Sequence, residues 1–115
     1  MIKKYDITYG STAYLHKYEY TYDNNNQLIE WWGETLKNGV WQKGTRRLIT
    51  YYEVGKAKDT IQQVWNWDDN IWINYEKCIM EYEDENIVSR TFQVIEYGNW
   101  MNDYKKEYHY HFYIF

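Results

Sequence analysis

Apolar and polar side chains alternate along most of this 115-residue chain. In one run, His16, Tyr18 and Tyr20 point to one face, whereas Lys17 and Glu19 point to the other. A period of two residues predicts half-buried β-strands and not helices. We therefore predict eight strands, near residues 3–9, 12–22, 27–37, 40–52, 59–67, 71–82, 87–97 and 100–114.

Turn signals separate the runs at regular intervals. Asn38-Gly39, between two strand-like runs, is the strongest short hairpin signal in the chain. The chain has no proline, which permits long uninterrupted strands. Residues 59–67 could also form a short helix, but the alternation of Trp65 and Trp67 favours a strand. We predict an antiparallel up-and-down meander in which each strand pairs with the next.

A unit of about thirty residues recurs along the chain. One series of equivalent positions is Tyr22, Tyr52, Tyr82 and Tyr110. A second series lies ten or eleven residues earlier and consists of Thr12, Trp41, Trp72 and Trp100. Five residues after each member of this second series there is a basic residue, namely Lys17, Arg46, Lys77 and Lys105. The step from Trp41 to Tyr52 has one extra residue, which predicts a β-bulge near Lys43-Gly44-Thr45.

The meander places equivalent positions of alternate strands about 9.6 Å apart. The tryptophans should therefore form a row near one end of the sheet, and the four tyrosines a second row near the other end. Because five residues is an odd number, the alternation predicts the basic residues on the face opposite the tryptophan row. Cross-strand aromatic and charged pairs of this kind stabilise sheets.

The last run, residues 108–115, is too apolar for an open sheet edge in water. It should pair with the first strand to close a barrel, pair with another molecule, or lie beneath a neighbouring sheet. Eight strands can close a barrel filled by side chains. The predicted fold is one all-β domain over residues 1–115, either an open coiled sheet or barrel-like. The open form implies a homo-oligomer through the last strand.

The chain has 15 Tyr and 7 Trp but only 3 Phe. Tyr and Trp each have an apolar ring system and a polar group, so this composition favours aromatic surfaces that are partly exposed to water. A net charge of −4 argues against nucleic-acid binding, which requires a basic face. The sequence predicts no transmembrane helix, since it contains no apolar run of 18 residues. Met1 to Lys4 begin like a signal peptide, but Tyr5-Asp6 interrupt it, so we expect a signal to be absent or already removed.

Two units follow the pattern W-x-N-x-x-[KR]-x-x-x-x-Y-[DE], which resembles tandem repeats of secreted or surface proteins of Bacteroidetes-type bacteria, rich in Tyr, Trp and Asn. The matching positions are Trp72, Asn74, Lys77, Tyr82 and Glu83, then Trp100, Asn102, Lys105 and Tyr110. Lys43 stands where an Asn is expected after Trp41, and His111 replaces the final acid. The resemblance implies an exported β-rich module without an assigned function, and it brings no catalytic residues.

No set of residues carries a catalytic signature, so the sequence predicts neither an enzyme nor a cofactor. His109 and His111 share a strand face and could chelate a metal with His16, but half-exposed structural histidines are the simpler interpretation. Cys78, the single cysteine, is expected in the core. Acid-rich loops at 23–26, 68–70 and 84–86 are explained by turn chemistry. Glu30 and Glu34 are about 13 Å apart on one strand, too far for a glycosidase pair.

The aromatic residues provide the candidate binding site. Adjacent Trp31 and Trp32 point to opposite faces, so a thin sheet exposes at least one of them, and Trp65 and Trp67 lie outside the tryptophan row. Exposed clusters of this kind mark interaction sites. The leading hypothesis is a non-catalytic module that binds a protein at the cell surface. The alternatives are a carbohydrate-binding domain that uses these four tryptophans, and a small cytoplasmic inhibitor or mobile-element protein.

Overall fold

A computed structural model describes the backbone of residues 2–9 and 15–109 and the side chains of residues 15–109. The strands are β1 (Ile2–Tyr9), β2 (Leu15–Tyr22), β3 (Leu28–Lys37), β4 (Val40–Glu53), β5 (Lys56–Asn66), β6 (Ile71–Glu83), β7 (Asn86–Glu96) and β8 (Asn99–Glu107). Each pairs antiparallel with the next in one sheet of order β1 to β8. Within these residues β1 and β8 do not pair, so the sheet is open and the barrel alternative is wrong.

Tight turns join most of the strands. Asn38 and Gly39 both have positive φ, 50° and 78°, as the primed hairpin turns require. The predicted loop over residues 53–58 is shorter in the structure, because Gly55 with φ of 84° closes a hairpin and β5 begins at Lys56. Residues 59–66 are strand, and the described residues contain no helix. No helix able to cross a membrane occurs in the described part of the chain.

The sheet is a single layer without a conventional core. Met80, 8% exposed, is the one buried large apolar side chain among residues 15–109, and none of these side chains is completely buried. The radius of gyration is 17.5 Å, whereas a compact chain of this length would have about 13 Å. The accessible surface is 8546 Å², against roughly 6,800 Å² for a compact protein of this mass. Cross-strand contacts therefore provide most of the side-chain packing.

The predicted bulge is confirmed, and it recurs in later strands. Gly44 and Thr45 together oppose Gly33, because Trp32 pairs with Arg46 and Glu34 with Lys43. Tyr75 is the extra residue of β6, and Asp103 is the extra residue of β8. Each of these bulges lies three residues after the tryptophan of its strand. Each one also reverses the alternation of faces for the remainder of the strand.

A second series of bulges occupies the odd strands. Their extra residues are Ile29, Lys58 and Val88, at intervals of 29 and 30 residues. Beside these bulges, Tyr22 pairs with Leu28, Tyr51 with Ala57 and Tyr82 with Ile87. Tyr51, and not Tyr52, is therefore the structural equivalent of the other two tyrosines. Tyr52 is an additional bulged residue, although its ring contacts Tyr82 at 6.3 Å.

Some predicted features fall outside the described residues. The turn at Gly10-Ser11, the Thr12 position and Tyr110 are among them. So are residues 110–115 of the predicted last strand, and with them the proposed role of that apolar segment. The described part of this strand, β8, ends at Glu107 and is exposed along most of its length.

Candidate functional site

Four tryptophans meet on one face of the sheet. The ring of Trp72 lies 5.2 Å from that of Trp65 and 6.4 Å from that of Trp32. Trp67 extends the cluster, 6.2 Å from Trp65. Trp32 is on β3 and Trp72 on β6, three strand spacings or about 14 Å apart at the backbone. Their rings meet above β4 and β5, and we call this side of the sheet the concave face.

Three of the four tryptophans that the sequence suggested for ligand binding belong to this cluster, namely Trp32, Trp65 and Trp67. Trp31 lies on the other, convex face, where its ring is 6.3 Å from Tyr18 and 5.7 Å from the guanidinium of Arg47. Adjacent Trp31 and Trp32 therefore point to opposite faces, as expected for a strand. One ligand cannot contact both of them.

Trp72 is the member of the cluster that sequence reasoning missed. The repeat assigned it to a structural row with Trp41 and Trp100, and all three do lie on the concave face near one end of the sheet. Its contact with Trp32 joins β6 to β3, which is three strands away in the sheet. No local sequence pattern encodes a contact between strands this far apart.

Arg46 joins the aromatic cluster to a buried polar network. Its Nε donates a hydrogen bond of 2.7 Å to Oε1 of Gln63, and Nε2 of Gln63 donates one of 2.6 Å to Oδ1 of Asn74. The guanidinium lies 5.1 Å from the ring of Trp72, and Nη1 lies 4.0 Å from a carboxylate oxygen of Glu30. Gln63 is only 8% exposed, so its two hydrogen bonds fix its orientation and that of Arg46.

The same arrangement recurs along the sheet, where a base of one even strand lies over the tryptophan of the next even strand. The pairs are Lys17 with Trp41 at 4.7 Å, Arg46 with Trp72 at 5.1 Å and Lys77 with Trp100 at 5.8 Å. The prediction that the basic residues lie opposite the tryptophan row is therefore wrong. The bulge that follows each tryptophan reverses the alternation, and base and tryptophan share the concave face.

The intervening odd strand supplies an amide or carboxylate to each of these pairs. Lys17 opposes Glu34, Arg46 opposes Gln63 and Lys77 opposes Gln93. The residue two positions after each tryptophan completes a cross-strand triad, as Lys43, Asn74 and Asn102. This geometry explains the spacing W-x-N-x-x-[KR] in physical terms.

An open groove of about 560 Å³ lies on the concave face beside this network. It is lined by Glu19, Thr21, Ile29, Glu30, Trp32, Lys43, Arg46 and Trp72. Two aromatic rings therefore stand beside two carboxylates and two cationic groups. Lys43 also lies 4.3 Å from the ring of Trp65, between that ring and Trp32.

The convex face carries a different surface in the C-terminal half of the sheet. Its exposed apolar side chains include five that are between 38% and 49% exposed, namely Val64, Ile73, Tyr75, Met101 and Tyr104. Val64 pairs with Ile73, and Met101 pairs with Val94 of β7. We call these five residues the convex patch. It includes two residues of β8, an edge strand of the sheet.

The other candidate groups are placed as follows. Cys78 is half-buried opposite Phe92, and burial raises the pKa of its thiol, which makes it a weak nucleophile. It shares a face with Met80 but not with Trp72, because the bulge at Tyr75 reverses the alternation between them. No cluster of three potential metal ligands occurs among the described side chains. His111 lies outside them, so half-exposed structural histidines remain the prediction for His109 and His111.

The acid-rich loops behave as turns where their contacts are described. Asp23 Oδ1 accepts hydrogen bonds of 2.9 Å from the backbone amides of Asn25 and Gln27. Asn66 Oδ1 accepts a bond of 2.9 Å from the amide of Asp68. On β3, a carboxylate oxygen of Glu34 lies 3.9 Å from Nζ of Lys17. The carboxylate of Glu30, on the same face of the strand, lies 4.0 Å from Arg46 instead, so the two glutamates have different basic partners.

Comparisons with known proteins identify the fold. No protein-family model matches the chain, and no curated protein matches its sequence. The crystal structure of a DUF3836 family protein from Bacteroides vulgatus is similar with a TM-score of 0.68 and 11% identity, over 76% of this chain and 90% of that one. The crystal structure of a DUF3836 family protein from Parabacteroides distasonis is similar with a TM-score of 0.58 and 17% identity, over 92% of this chain and 90% of that one. The likeness establishes a shared β-sheet architecture.

Proposed function

We propose that this protein is a non-catalytic β module that binds another protein at the cell surface through its convex patch. The observation that carries the proposal is the exposure of five apolar or aromatic side chains on one face of β5, β6 and β8. Exposed apolar surface of this kind marks sites of protein interaction. A protein partner would remove these side chains from water without any change in the sheet.

The position of the patch supports assembly as well as binding. The patch includes two residues of β8, whose outer backbone groups have no neighbouring strand among the described residues. An added strand from a partner would pair with these groups while its side chains cover Met101 and Tyr104. A second copy of this chain is one such partner, in agreement with the homo-oligomer that the sequence suggested.

The surface location rests on the sequence resemblance to repeats of secreted and surface proteins. Bulges at intervals of about thirty residues support the interpretation that the chain is built from a repeated hairpin. The structures of similar fold also come from Bacteroides and Parabacteroides. The non-catalytic assignment rests on the lack of a catalytic motif in the sequence.

A photo-crosslinking amino acid placed at Met101 in native cells tests the protein-binding proposal. We expect a discrete crosslinked product from position 101, because its side chain belongs to the patch. Position 102 is the matched control, since Asn102 is adjacent but faces the concave side, where it accepts a hydrogen bond from Gln93. Ile73→Lys should abolish the product from position 101 by placing a charge within the patch.

Absence of a product at position 101, or equal products at both positions, would overturn the proposal. A product of twice the mass of the chain would identify the partner as a second copy. Protease treatment of intact cells tests the location: digestion is expected for a surface module. Protection together with recovery in the cytosolic fraction would favour the inhibitor or mobile-element alternative.

A further inference from the structure

The groove on the concave face is a second candidate binding surface, on the opposite side of the sheet from the convex patch. We propose that this groove binds a neutral oligosaccharide. The proposal does not depend on a protein partner, because the two surfaces share no side chain. It rests on the aromatic lining of the groove, its fixed polar groups and its charge balance.

Trp32 and Trp72 provide the apolar part of the site. Both line the groove, and their rings make an angle of 74°. A sugar in the groove would therefore meet two rings that are set nearly at right angles to each other. Sugar rings have one or two apolar C–H faces that suit such contacts, and aromatic side chains bury much apolar area in a fixed geometry.

Glu30 and Arg46 provide the polar part. Their charged ends lie 4.0 Å apart at the groove, with the guanidinium held by Gln63 beneath it. A carboxylate accepts hydrogen bonds and a guanidinium donates them, so the pair can bind neighbouring hydroxyl groups of one sugar. Because Gln63 is buried and itself fixed by Asn74, Arg46 loses little freedom on binding.

The charges of the groove indicate an uncharged ligand. The two carboxylates, of Glu19 and Glu30, balance the two cations, of Lys43 and Arg46. A nucleic acid or an acidic polymer would require a net basic surface. A purely apolar ligand would remove four charged groups from water without compensation. A volume near 560 Å³ is within the usual range for small-ligand sites, and the open form lets a sugar chain extend beyond it.

Calorimetric titration of the purified chain with hexasaccharides of glucose, xylose and mannose tests the proposal, with uronic-acid hexamers for comparison. We expect at least one neutral hexasaccharide to bind. Trp32→Ala should weaken that binding at least tenfold, whereas Trp31→Ala, on the adjacent residue and the opposite face, should change it less than twofold.

A second pair of variants keeps the test independent of any folding defect in Trp32→Ala. Glu30→Gln, in the groove, should weaken binding at least fivefold. Glu34→Gln, on the same strand face but paired with Lys17 outside the groove, should leave binding within twofold. Both substitutions preserve side-chain size, and circular dichroism verifies the fold.

Three results would overturn the inference. They are no binding of any neutral hexasaccharide, equal losses from Trp31→Ala and Trp32→Ala, or tighter binding of the uronic-acid hexamers. A saturating hexasaccharide should leave the crosslink from position 101 unchanged, because that position faces the other side of the sheet. Failure of the sugar site is thus distinguishable from failure of the protein-binding proposal.

Discussion

Tyr18 packs its ring against Gly33, its cross-strand partner on β3. Gly33 is buried in this single-layer sheet, and a Cβ built there would lie 3.0 Å from Cε1 and 3.2 Å from Cδ1 of the ring. The ring is also held by Trp31 and Tyr20, at 6.3 and 6.5 Å. A glycine inside a strand normally weakens the strand, but here the absence of a side chain leaves room for the aromatic ring of Tyr18.

Gly33→Ala should therefore destabilise the protein by about 1 kcal/mol, since overpacking exceeds the gain in strand propensity. Gly44→Ala is the matched control, because its Cβ would meet only a backbone oxygen at 3.8 Å. It should be neutral or stabilise by roughly 0.5 kcal/mol through reduced freedom of the unfolded chain. Urea unfolding at pH 7 measures both changes. Equal effects at the two glycines would contradict the role given to Tyr18.

Asp23 organises the connection between β2 and β3. Its Oδ1 accepts two backbone amides and its Oδ2 accepts the side-chain amide of Gln27 at 3.1 Å. The backbone hydrogen bond from Gln27 is the main reason that the pKa of Asp23 is lowered. Oε1 of Gln27 accepts a bond of 2.7 Å from the amide of Gly55, which links this turn to the next turn at the same end of the sheet.

A lowered pKa makes the contribution of Asp23 to stability depend on pH. The contribution is fully present above the unfolded pKa, near 3.9 for an ordinary aspartate, and it is lost as pH falls through the folded pKa. Asp23→Asn should be less stable than the original chain at pH 7, and the difference should shrink below about pH 4. Chemical unfolding between pH 7 and pH 2 measures it. A difference that stays constant over this range would show that the charge plays no part.

At the scale of strands, the triads of base, amide and asparagine hold the concave face together. Gln63 occupies the centre of the most buried triad, between Arg46 and Asn74. The equivalent Gln93 is less buried and has a single side-chain bond of 2.8 Å, to Asn102. The two glutamines thus have the same register but different burial, which provides an internal comparison.

Gln63→Met should destabilise the protein by about 1–3 kcal/mol, because the partly buried polar groups of Arg46 and Asn74 lose their partner. Gln93→Met should cost no more than about 1 kcal/mol, since water can replace its exposed hydrogen bond. Thermal and urea unfolding of the two variants give the comparison. A larger effect at Gln93 than at Gln63 would show that burial of the triad does not determine its contribution.

The alternation of side chains was sufficient to predict the strands and the meander. The pair Asn38-Gly39 was sufficient to predict a primed hairpin turn. The bulge at Gly44 was predictable because glycine marks it. Those at Tyr75 and Asp103 were not, since neither residue type favours a bulge, and so the faces of Lys77 and Lys105 relative to Trp72 and Trp100 were predicted wrongly. The contact between Trp32 and Trp72 joins two strands that are not neighbours, and the alternation within one strand does not encode it.

At the scale of the molecule, a one-layer sheet presents both of its faces to solvent. The concave face uses cation–aromatic and amide contacts, and the convex face leaves apolar side chains exposed. Opposite faces of one sheet can therefore hold two independent binding surfaces. This arrangement lowers stability, because less surface is removed from water on folding than in a compact protein of this mass.

Small-angle X-ray scattering tests this architecture directly. The isolated monomer should have a radius of gyration close to the 17.5 Å of the structure, well above the value of about 13 Å for a compact chain of this length. The large value follows from a sheet that is open at β1 and β8 and has no covering layer within the described residues. Light scattering on the same sample must establish that the chain is monomeric, since a dimer also raises the radius. A monomer near 13 Å would mean that the sheet folds back on itself, and the convex patch and the groove would then not both face solvent.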